Sequence, residues 1–453
     1  MTRTVVLFPG QGGYAPGIFA YLHREHPSIA ATLGRVEQVA EVPSQRVIRI
    51  TDLLLDPDAP GPRELATTDP GRLHLAIFGT EIVIFQLLTQ EYGIQPDLVM
   101  GHSFGEIAAL TAAGAYPLDD GIRMVCLRDR ALQEAPPPPG GMLAVSAGSR
   151  RADALIAAVD DWNTVIATYN SPEQVVVSGS TRGLEAVATV AAALGLRATR
   201  LDVSYPFHNR LLAQAAHIFR RGIGDIRPQP LRHRLYSPLL GKYADDLGRP
   251  SADATRLLSC HLTSPVRFAD AVRAVHADGC RIFIECGPGA VLTGLAAATV
   301  PGITALAPLR ERADAEGFAA SLTAREPVPT ATVAAGEAAA TTTEAVTTPP
   351  GPGTDPVLAA DLRATGLFDR LRRLYAETVG YPANVFEPSL DLEADLGIDS
   401  LTQTALLSKA IESEGLPEPP TGVRIADHPT LESVAELIGG LATESGRAHQ
   451  ERL

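Results

Sequence analysis

The sequence predicts an α/β body built on a mostly parallel sheet, with a small βαββαβ subdomain set into it and a separate all-helical domain behind it. Three observations predict this. Strand-like and helical patterns alternate over the first stretch of about 320 residues, the pattern of a parallel sheet covered by helices. Composition breaks abruptly at Glu326. Beyond the break, the apolar residues recur at helical spacing.

In chain order, Thr4–Phe8 reads as a strand running into the glycine turn Pro9-Gly-Gln-Gly12. A helical pattern covers Leu75–Gln90, and Leu98–Met100 is a short apolar strand. Helical patterns follow at Ile107–Ala113 and Asp119–Gln133. The next stretch is different: strand Gly141–Ala147, helix Ala152–Val159, strands Val165–Ala167 and Val175–Ser178, helix Gly183–Leu194 and strand Ala198–Val203. That order is the ferredoxin-like unit, expected over about 140–204, with the run Pro136–Gly141 as its hinge. The body resumes with helix Ala269–His276 and strand Arg281–Glu285, and ends near 325.

Residues 326–356 are mostly Ala, Thr, Pro and Gly, with no aromatic residue. Such a segment buries too little surface to offset its ordering entropy and is expected to be a disordered linker. The tail, 357–443, shows three helical stripes: Leu367, Leu371, Leu374, Tyr375 and Val379; Leu401, Ala405, Leu406, Ala410 and Ile411; Leu431, Val434, Ala435 and Ile438, with Thr430 as N-cap. Three helices of this size make a small bundle.

The chain has 453 residues, 45% hydrophobic and 20% charged, the balance of a globular protein with a real core. No run approaches the ~20 uncharged apolar residues of a membrane span. The best, Leu73 to Leu88, carries Glu81 and Gln86. The first residues lack the apolar region of a secretory signal. Cys126, Cys260, Cys280 and Cys286 show no metal spacing, which fits buried thiols in a reducing cytoplasm. The net charge of −14 argues against nucleic acid and anionic membrane as partners. Val357–Gly440 holds 14 Asp and Glu against 6 Lys and Arg, a net of −8. An acidic tail suits a basic docking surface on a partner, and equally a plain solvated face.

The sharpest chemical signal is Leu98-Val-Met-Gly-His-Ser-Phe-Gly-Glu-Ile-Ala-Ala-Leu110. A strand enters Gly-x-Ser-x-Gly and a helix leaves it, which is the context of a nucleophile elbow. Gly101 and Gly105 permit the sharp turn, and Ser103 lands at a helix N-terminus, where developing negative charge is favoured. An ordinary strand–turn–helix with a surface serine would share this pattern. A serine nucleophile needs a base. Among eleven histidines, His208 follows the last subdomain strand, at the return to the body. Position alone leaves it open between a base and a surface histidine.

The body resembles the malonyl-CoA:acyl carrier protein transacylases and the acyltransferase domains of polyketide synthases. The matching segments are Leu7-Phe-Pro-Gly-Gln-Gly12, Gly101-His-Ser-Phe-Gly-Glu106, Leu127-Arg128 with Gln133-Glu134-Ala135, Tyr169-Asn-Ser-Pro-Glu-Gln-Val175, Pro206-Phe-His208 and Glu285-Cys-Gly-Pro-Gly289, in the family's order. The resemblance implies a hydrolase-like α/β fold with a ferredoxin-like insert. It implies Ser103 as the acylated nucleophile, His208 as its base, and the backbone N–H groups of Gln11 and Phe104 as the oxyanion hole. It implies a backbone carbonyl from His261–Arg267 orienting the histidine, and Asn170 supporting the histidine region. His102 is expected to pack beside the elbow.

Arg128 bears on substrate class. Read alone, it could be an exposed arginine paired with Asp129 or Glu134. The resemblance implies a bidentate pair with the free carboxylate of a malonyl-type acyl group, which a planar guanidinium suits. Phe207 matches the malonyl-selective pattern, where a bulky ring fills the space of an α-methyl. Two positions depart from the family: Gly13-Tyr14 follows the glycine turn, and His74 stands where a pocket glutamine is usual. With His261, these line the expected acyl pocket and leave room for an unusual extender unit.

In the tail, Asp395-Leu-Gly-Ile-Asp-Ser-Leu401 resembles the attachment motif of acyl carrier proteins. It implies covalent 4'-phosphopantetheine on Ser400, at a helix N-terminus that favours the phosphodiester; a bare helix cap is the plainer alternative. The expected protein is an acyltransferase joined to a carrier domain. It would take acyl-CoA and serve acyl carrier proteins and ketosynthases of an assembly line, after modification by a phosphopantetheinyl transferase. The alternatives are an editing acyl hydrolase of the same fold, transfer of an unusual acyl group between carriers, and a catalytically idle docking protein. Arg128 argues against the hydrolase, because typical stalled groups lack a carboxylate. Intact Ser103 and His208 argue against the idle protein.

Overall fold

The computed structural model describes residues 3–44, 49–244, 257–258, 260–310, 314–323, 366–379, 386, 388, 392, 400–414, 416, 428 and 430–450. The expected linker, 326–356, and the motif residues 395–399 lie outside them. The chain divides into two compact units, 1–330 and 331–453.

Among the described residues, the first unit is built on ten strands: β1 Arg3–Phe8, β2 Leu98–Gly101, β3 Gly140–Val145, β4 Val165–Ser171, β5 Gln174–Ser180, β6 Ala198–Arg200, β7 Arg234–Ser237, β8 Lys242–Tyr243, β9 Cys280–Glu285 and β10 Thr304–Leu306. Six form the main sheet, in the order β10-β9-β1-β2-β7-β8, all pairs parallel except β7–β8. The apolar run of β1 reflects burial on both faces. Val6 and Phe8 enter one core cluster, and Val5 and Leu7 enter the other.

The helix Pro70–Gln86 is buried from Leu73 through Phe85. It starts earlier than the apolar pattern indicates, because Asp69 caps it, accepting the Arg72 N–H at 3.2 Å, and Pro70 occupies the first turn. With the π-helical turn Leu87–Glu91 it makes 22 residues, long and apolar enough to cross a membrane by composition. It serves instead as the central core helix, buried without a break from Leu73 through Phe85.

β3–β6 form the inserted sheet, in the order β4-β5-β3-β6, every pair antiparallel. Helices Ser149–Val159 and Thr181–Ala193 pack on it, giving the ferredoxin-like arrangement. The last strand is shorter than the expected Ala198–Val203. Leu201 N–H still reaches the Met142 carbonyl, but Val203 N–H turns back onto the Leu201 carbonyl. That turn aims the chain toward His208.

The second unit has helices Leu367–Val379, Ser400–Ser413 and Leu431–Gln450 around Leu371, Tyr375, Phe386, Leu392, Leu406, Ala410, Val434 and Ile438. Thr430 caps the last helix, its Oγ1 accepting the Ser433 N–H at 3.1 Å. Ala405, expected in the apolar stripe, is exposed. Gln403, Leu407 and Ala410 take the inward positions with Leu406, three or four residues apart, and Ala405 falls about 100° off that line.

The register pairs Phe8 with Gly101, so the loops leaving β1 and β2 start side by side at the carboxyl edge of the sheet. This edge is where open α/β sheets bind ligands. An ideal Cβ on Gly105 would sit 2.1 Å from the Phe8 carbonyl oxygen. Gly105→Ala is therefore expected to lower stability by about 1–3 kcal/mol, read as a fall in the unfolding midpoint of the first unit. An unchanged midpoint would show that the two loops can separate freely.

Candidate active site

Ser103 sits at the crest of the turn after β2, at φ 55°, one of three described non-glycine residues in the left-handed region. That conformation costs a β-carbon-bearing residue about 1–2 kcal/mol. The surrounding bonds hold it: His102 N–H donates to the Phe8 carbonyl at 2.9 Å, and Gly105 N–H to the His102 carbonyl at 3.0 Å. The helix Gly105–Ala112 begins directly after, so the serine projects from its N-terminal end.

His208, also at φ 58°, meets the serine. Its Nε2 lies 2.6 Å from Ser103 Oγ, and its Nδ1 2.8 Å from the Ser264 carbonyl. A carbonyl only accepts, so Nδ1 carries the proton and Nε2 is left to receive one from the serine. The Ser264 carbonyl is itself fixed. Ser264 N–H closes a turn onto Cys260, and Val266 is hydrogen-bonded both ways with β4, to Ala167 and Tyr169. Burial pushes the His208 pKa down to about 3, with the fields of His102 and Arg128 adding to the effect against the Ser264 bond. The imidazole is neutral and free to act as a base at neutral pH.

Asn209, which sequence reasoning passed over, anchors this histidine. Its Nδ2 donates to the carbonyls of Asn163 at 2.8 Å and Ser178 at 3.1 Å, and its Oδ1 accepts the Leu211 N–H at 3.0 Å. An asparagine directly after the histidine and before a short helical turn was the available signal. The histidine that Asn170 reaches is His102. The Asn170 Oδ1 accepts from His102 Nε2 at 2.9 Å and its Nδ2 donates to Gln174 at 3.1 Å. β4 directs it at the elbow histidine, while the neighbouring backbone of β4 serves the His208 side.

Arg128 is 2% exposed, which excludes the surface reading. Its helix, Leu118–Glu134, buries Ile122, Val125, Arg128 and Leu132 on one face, and Glu134 pairs with Arg130 at 2.6 Å. The guanidinium carbon lies against two rings, 5.1 Å from the centroid of Phe104 and 4.9 Å from that of Phe207. Its Nη1 has one long contact, 3.4 Å to Asp129, and its Nε has no partner among the described residues. Burial lowers its pKa and Asp129 works the other way; an arginine stays charged under such a shift. Asp129 is already engaged at 2.7 Å by His74 Nδ1–H, and His74 Nε2 faces the Gln11 side-chain amide at 3.3 Å. The His74 ring stacks on Phe104, centroids 5.3 Å apart.

His261 is 1% exposed, its ring 6.4 Å from that of His208, and its Nδ1 has no partner among the described residues. Burial holds it well below the ordinary histidine range. Among the described residues, the backbone N–H groups of Gln11 and Phe104 meet no acceptor. Glu106 and Glu285, present in the motifs but given no role by sequence reasoning, brace the strand ends. Glu106 accepts from the Ser237 hydroxyl at 2.7 Å, and Glu285 from Thr293 N–H and Oγ1–H at 2.9 and 3.0 Å. Burial raises them to about 8 and about 7. In the second unit, Ser400 is the first residue of its helix.

A serine in a strained turn on a parallel sheet, bonded to a neutral histidine, defines the class of α/β proteins organised around a nucleophile elbow. Residues 5–329 match the acyl transferase domain family, and residues 369–438 the phosphopantetheine attachment site family. The chain belongs to the acyl transferase domain family, and its tail is a phosphopantetheine attachment domain, which carries 4'-phosphopantetheine covalently. A malonyl CoA-acyl carrier protein transacylase of Bacillus subtilis is 32% identical over 303 residues, 65% of this chain and 90% of that protein. A spectinabilin polyketide synthase protein of Streptomyces orinoci is 34% identical over 66% of this chain, and a phenolphthiocerol synthesis polyketide synthase of Mycobacterium marinum is 34% identical over 64%. The chain spans 8% and 13% of the length of those two synthases. Among solved structures, the acyltransferase domain from the second module of the salinomycin polyketide synthase aligns with a TM-score of 0.62 at 30% identity, over 71% of this chain and 72% of that one. A malonyl-CoA:acyl carrier protein transacylase of Xanthomonas oryzae aligns at 0.63 and 27%, over 72% and 99%.

A histidine with so low a pKa stays unprotonated through the mildly acidic range. The kcat/KM for acylation reports the free enzyme and is expected to stay flat from about pH 8 down to about pH 5, then fall as His208 takes up a proton. An inflection near the ordinary value of ~6.5 would show a solvated histidine or a different base.

Proposed function

We propose that this chain moves a malonyl-type acyl group from CoA, through an ester on Ser103, to the thiol of an acyl carrier domain, its own or a partner's, in polyketide-type biosynthesis. The observation that carries this reading is the state of Arg128. A buried guanidinium with an unpartnered Nε and one long contact lacks the close acceptors a buried charge needs, and a substrate carboxylate would supply them. The rings that flank it belong to the residue after Ser103 and the residue before His208, so the cation is tied to the Ser–His pair by the chain itself.

In the first half-reaction Ser103 Oγ attacks the thioester carbon and passes its proton to His208 Nε2. The Gln11 and Phe104 N–H groups hold the negative oxygen of the tetrahedral intermediate. The C–S bond then breaks, and the CoA sulfur leaves with the proton from His208. When bound, the phosphopantetheine arm supplies the thiol that accepts the acyl group. His208 takes that thiol's proton in the second half-reaction and returns it to Ser103 Oγ as the ester is cleaved. Ser400 is the proposed attachment residue. It opens a helix of 14 residues, whose first N–H groups and dipole suit a phosphodiester. Phe207, its ring 4.9 Å from the guanidinium, would crowd an α-methyl and favour malonyl by about 1–3 kcal/mol. Acyl carrier proteins, ketosynthases and a phosphopantetheinyl transferase are the fitting partners. All four cysteines are free thiols, which suits a cytoplasmic setting.

The test is intact-mass spectrometry after incubation with malonyl-CoA. Wild type should gain one malonyl adduct on the first unit, and Ser103→Ala should gain none there while Ser400 still accepts the prosthetic arm. An adduct surviving on another body residue would refute the nucleophile assignment.

Arg128→Ala should slow malonyl transfer by roughly 10²–10³-fold, the equivalent of about 3–5 kcal/mol for a broken buried pair. Transfer from acetyl-CoA, which has no free carboxylate, should not fall in step. Equal losses for both would mean that Arg128 only supports the fold.

A further inference from the structure

One buried acid next to the site is used by none of these steps. Glu81 lies on the core helix Pro70–Gln86 and is 0% exposed. Its Oε1 accepts the Gly10 N–H at 2.6 Å, and its Oε2 has no partner among the described residues. Burying a carboxyl with one oxygen unsatisfied is costly, and an apolar helix that packs well around it has no structural need of it. What the acid touches gives the reason. Gly10 precedes Gln11, whose N–H is one of the two donors assigned to the oxyanion.

The Gly10 backbone has almost no freedom. It sits at φ 70°, and an ideal Cβ would come within 2.7 Å of both Gly105 N and the His102 carbonyl oxygen. Gly13 N–H closes the turn onto the Gly10 carbonyl at 2.8 Å. The loop is thus wedged against the elbow on one side, and the core helix grips it on the other at two points. His74 meets the Gln11 side chain at 3.3 Å, and Glu81, seven residues and two turns further along the same face, meets the Gly10 amide. Two grips and a wedge set the peptide plane between Gly10 and Gln11, and that plane carries the Gln11 N–H.

We propose that Glu81 is a positioning residue for the oxyanion hole, holding the Gly10 amide so that the Gln11 N–H points at the oxygen that becomes negative. It touches no substrate and acts through the loop. This rests on the acyl-serine reading above. Its consequence is a loss in the chemical step rather than in acyl-CoA binding, because the Gln11 N–H bond is strongest in the transition state.

The experiment compares Glu81→Gln and Glu81→Asp in the full-length protein by rapid-quench acylation with malonyl-CoA, with the unfolding midpoint measured for each. Glutamine keeps a carbonyl oxygen at the same reach. Aspartate keeps the carboxyl and withdraws it by one methylene. The Glu81→Asp acylation rate constant should fall on the order of 10²-fold, as a displacement of about 1 Å in a catalytic group does, with the acyl-CoA KM within about 2-fold of wild type. Glu81→Gln should keep the rate within about 3-fold. Equal rates for Glu81→Asp and wild type, with the Ser103 adduct forming normally, would overturn the positioning role and leave the acyl-serine reading intact. Losses in both variants that track their unfolding midpoints would also overturn it, showing Glu81 to be a packing residue. Absence of any Ser103 adduct in wild type would overturn both.

Discussion

The carbonyl of Phe8, at the end of β1, occupies the place where a side chain on Gly105 would have to be. The rest of the site depends on that contact. It brings the loop after β1 against the elbow after β2, so that two backbone segments about 90 residues apart in sequence present their amides to one point. It also holds Ser103 in a conformation that would relax if the loops moved apart. The parallel register makes it possible, since pairing Phe8 with Gly101 lets both loops begin at the same height.

Burial governs the charge states once the loops are in place. His208, His102 and His261 all have lowered pKa values, burial being the first cause each time. Arg128 is the cation whose field reaches two of them. A buried cation among neutral imidazoles is an environment that rewards an incoming carboxylate, because little competes with it in a low-dielectric space. Asp129 tempers the charge without removing it, since its Oδ1 also receives the His74 proton.

The inserted sheet supplies what the parallel sheet cannot. Ser103 and the Gly10–Gln11 loop come from strand ends of the main sheet, and the histidine comes from the return crossing of the insert. That crossing is tied down by Asn209, which reaches the carbonyls of Asn163 and Ser178. The orienting carbonyl of Ser264 is tied in turn to β4 through Val266. Serine and histidine therefore meet only when both sheets are folded, and positions 105 apart in sequence are joined by a 2.6 Å contact.

Local features were legible in the sequence because local sterics determine them. A strand, a glycine–x–serine–x–glycine turn and a helix at Leu98–Leu110 leave the chain little other choice, and the same holds for the βαββαβ order and for the bundle stripes around Leu371, Leu406 and Val434. Family resemblance added the expected roles of His208, Arg128 and Ser400. Tertiary structure decided the rest, because it depends on which groups are brought together and shut away from water. The periodicity of Leu118–Glu134 does not state that Arg128 belongs to the inward face, since an arginine there is indistinguishable from one on the solvated face until the rings of Phe104 and Phe207 close over it. The motif around Asn170 does not say which histidine it reaches, because a residue's partner is set by the direction of its strand; here it is His102. Glu81 looked like an interruption in an apolar helix, and only packing showed that its carboxyl lands on the Gly10 amide. Sequence specifies local geometry through sterics that act over a few residues, while burial and long-range hydrogen bonding, which set charge state and catalytic alignment, exist only in the folded chain.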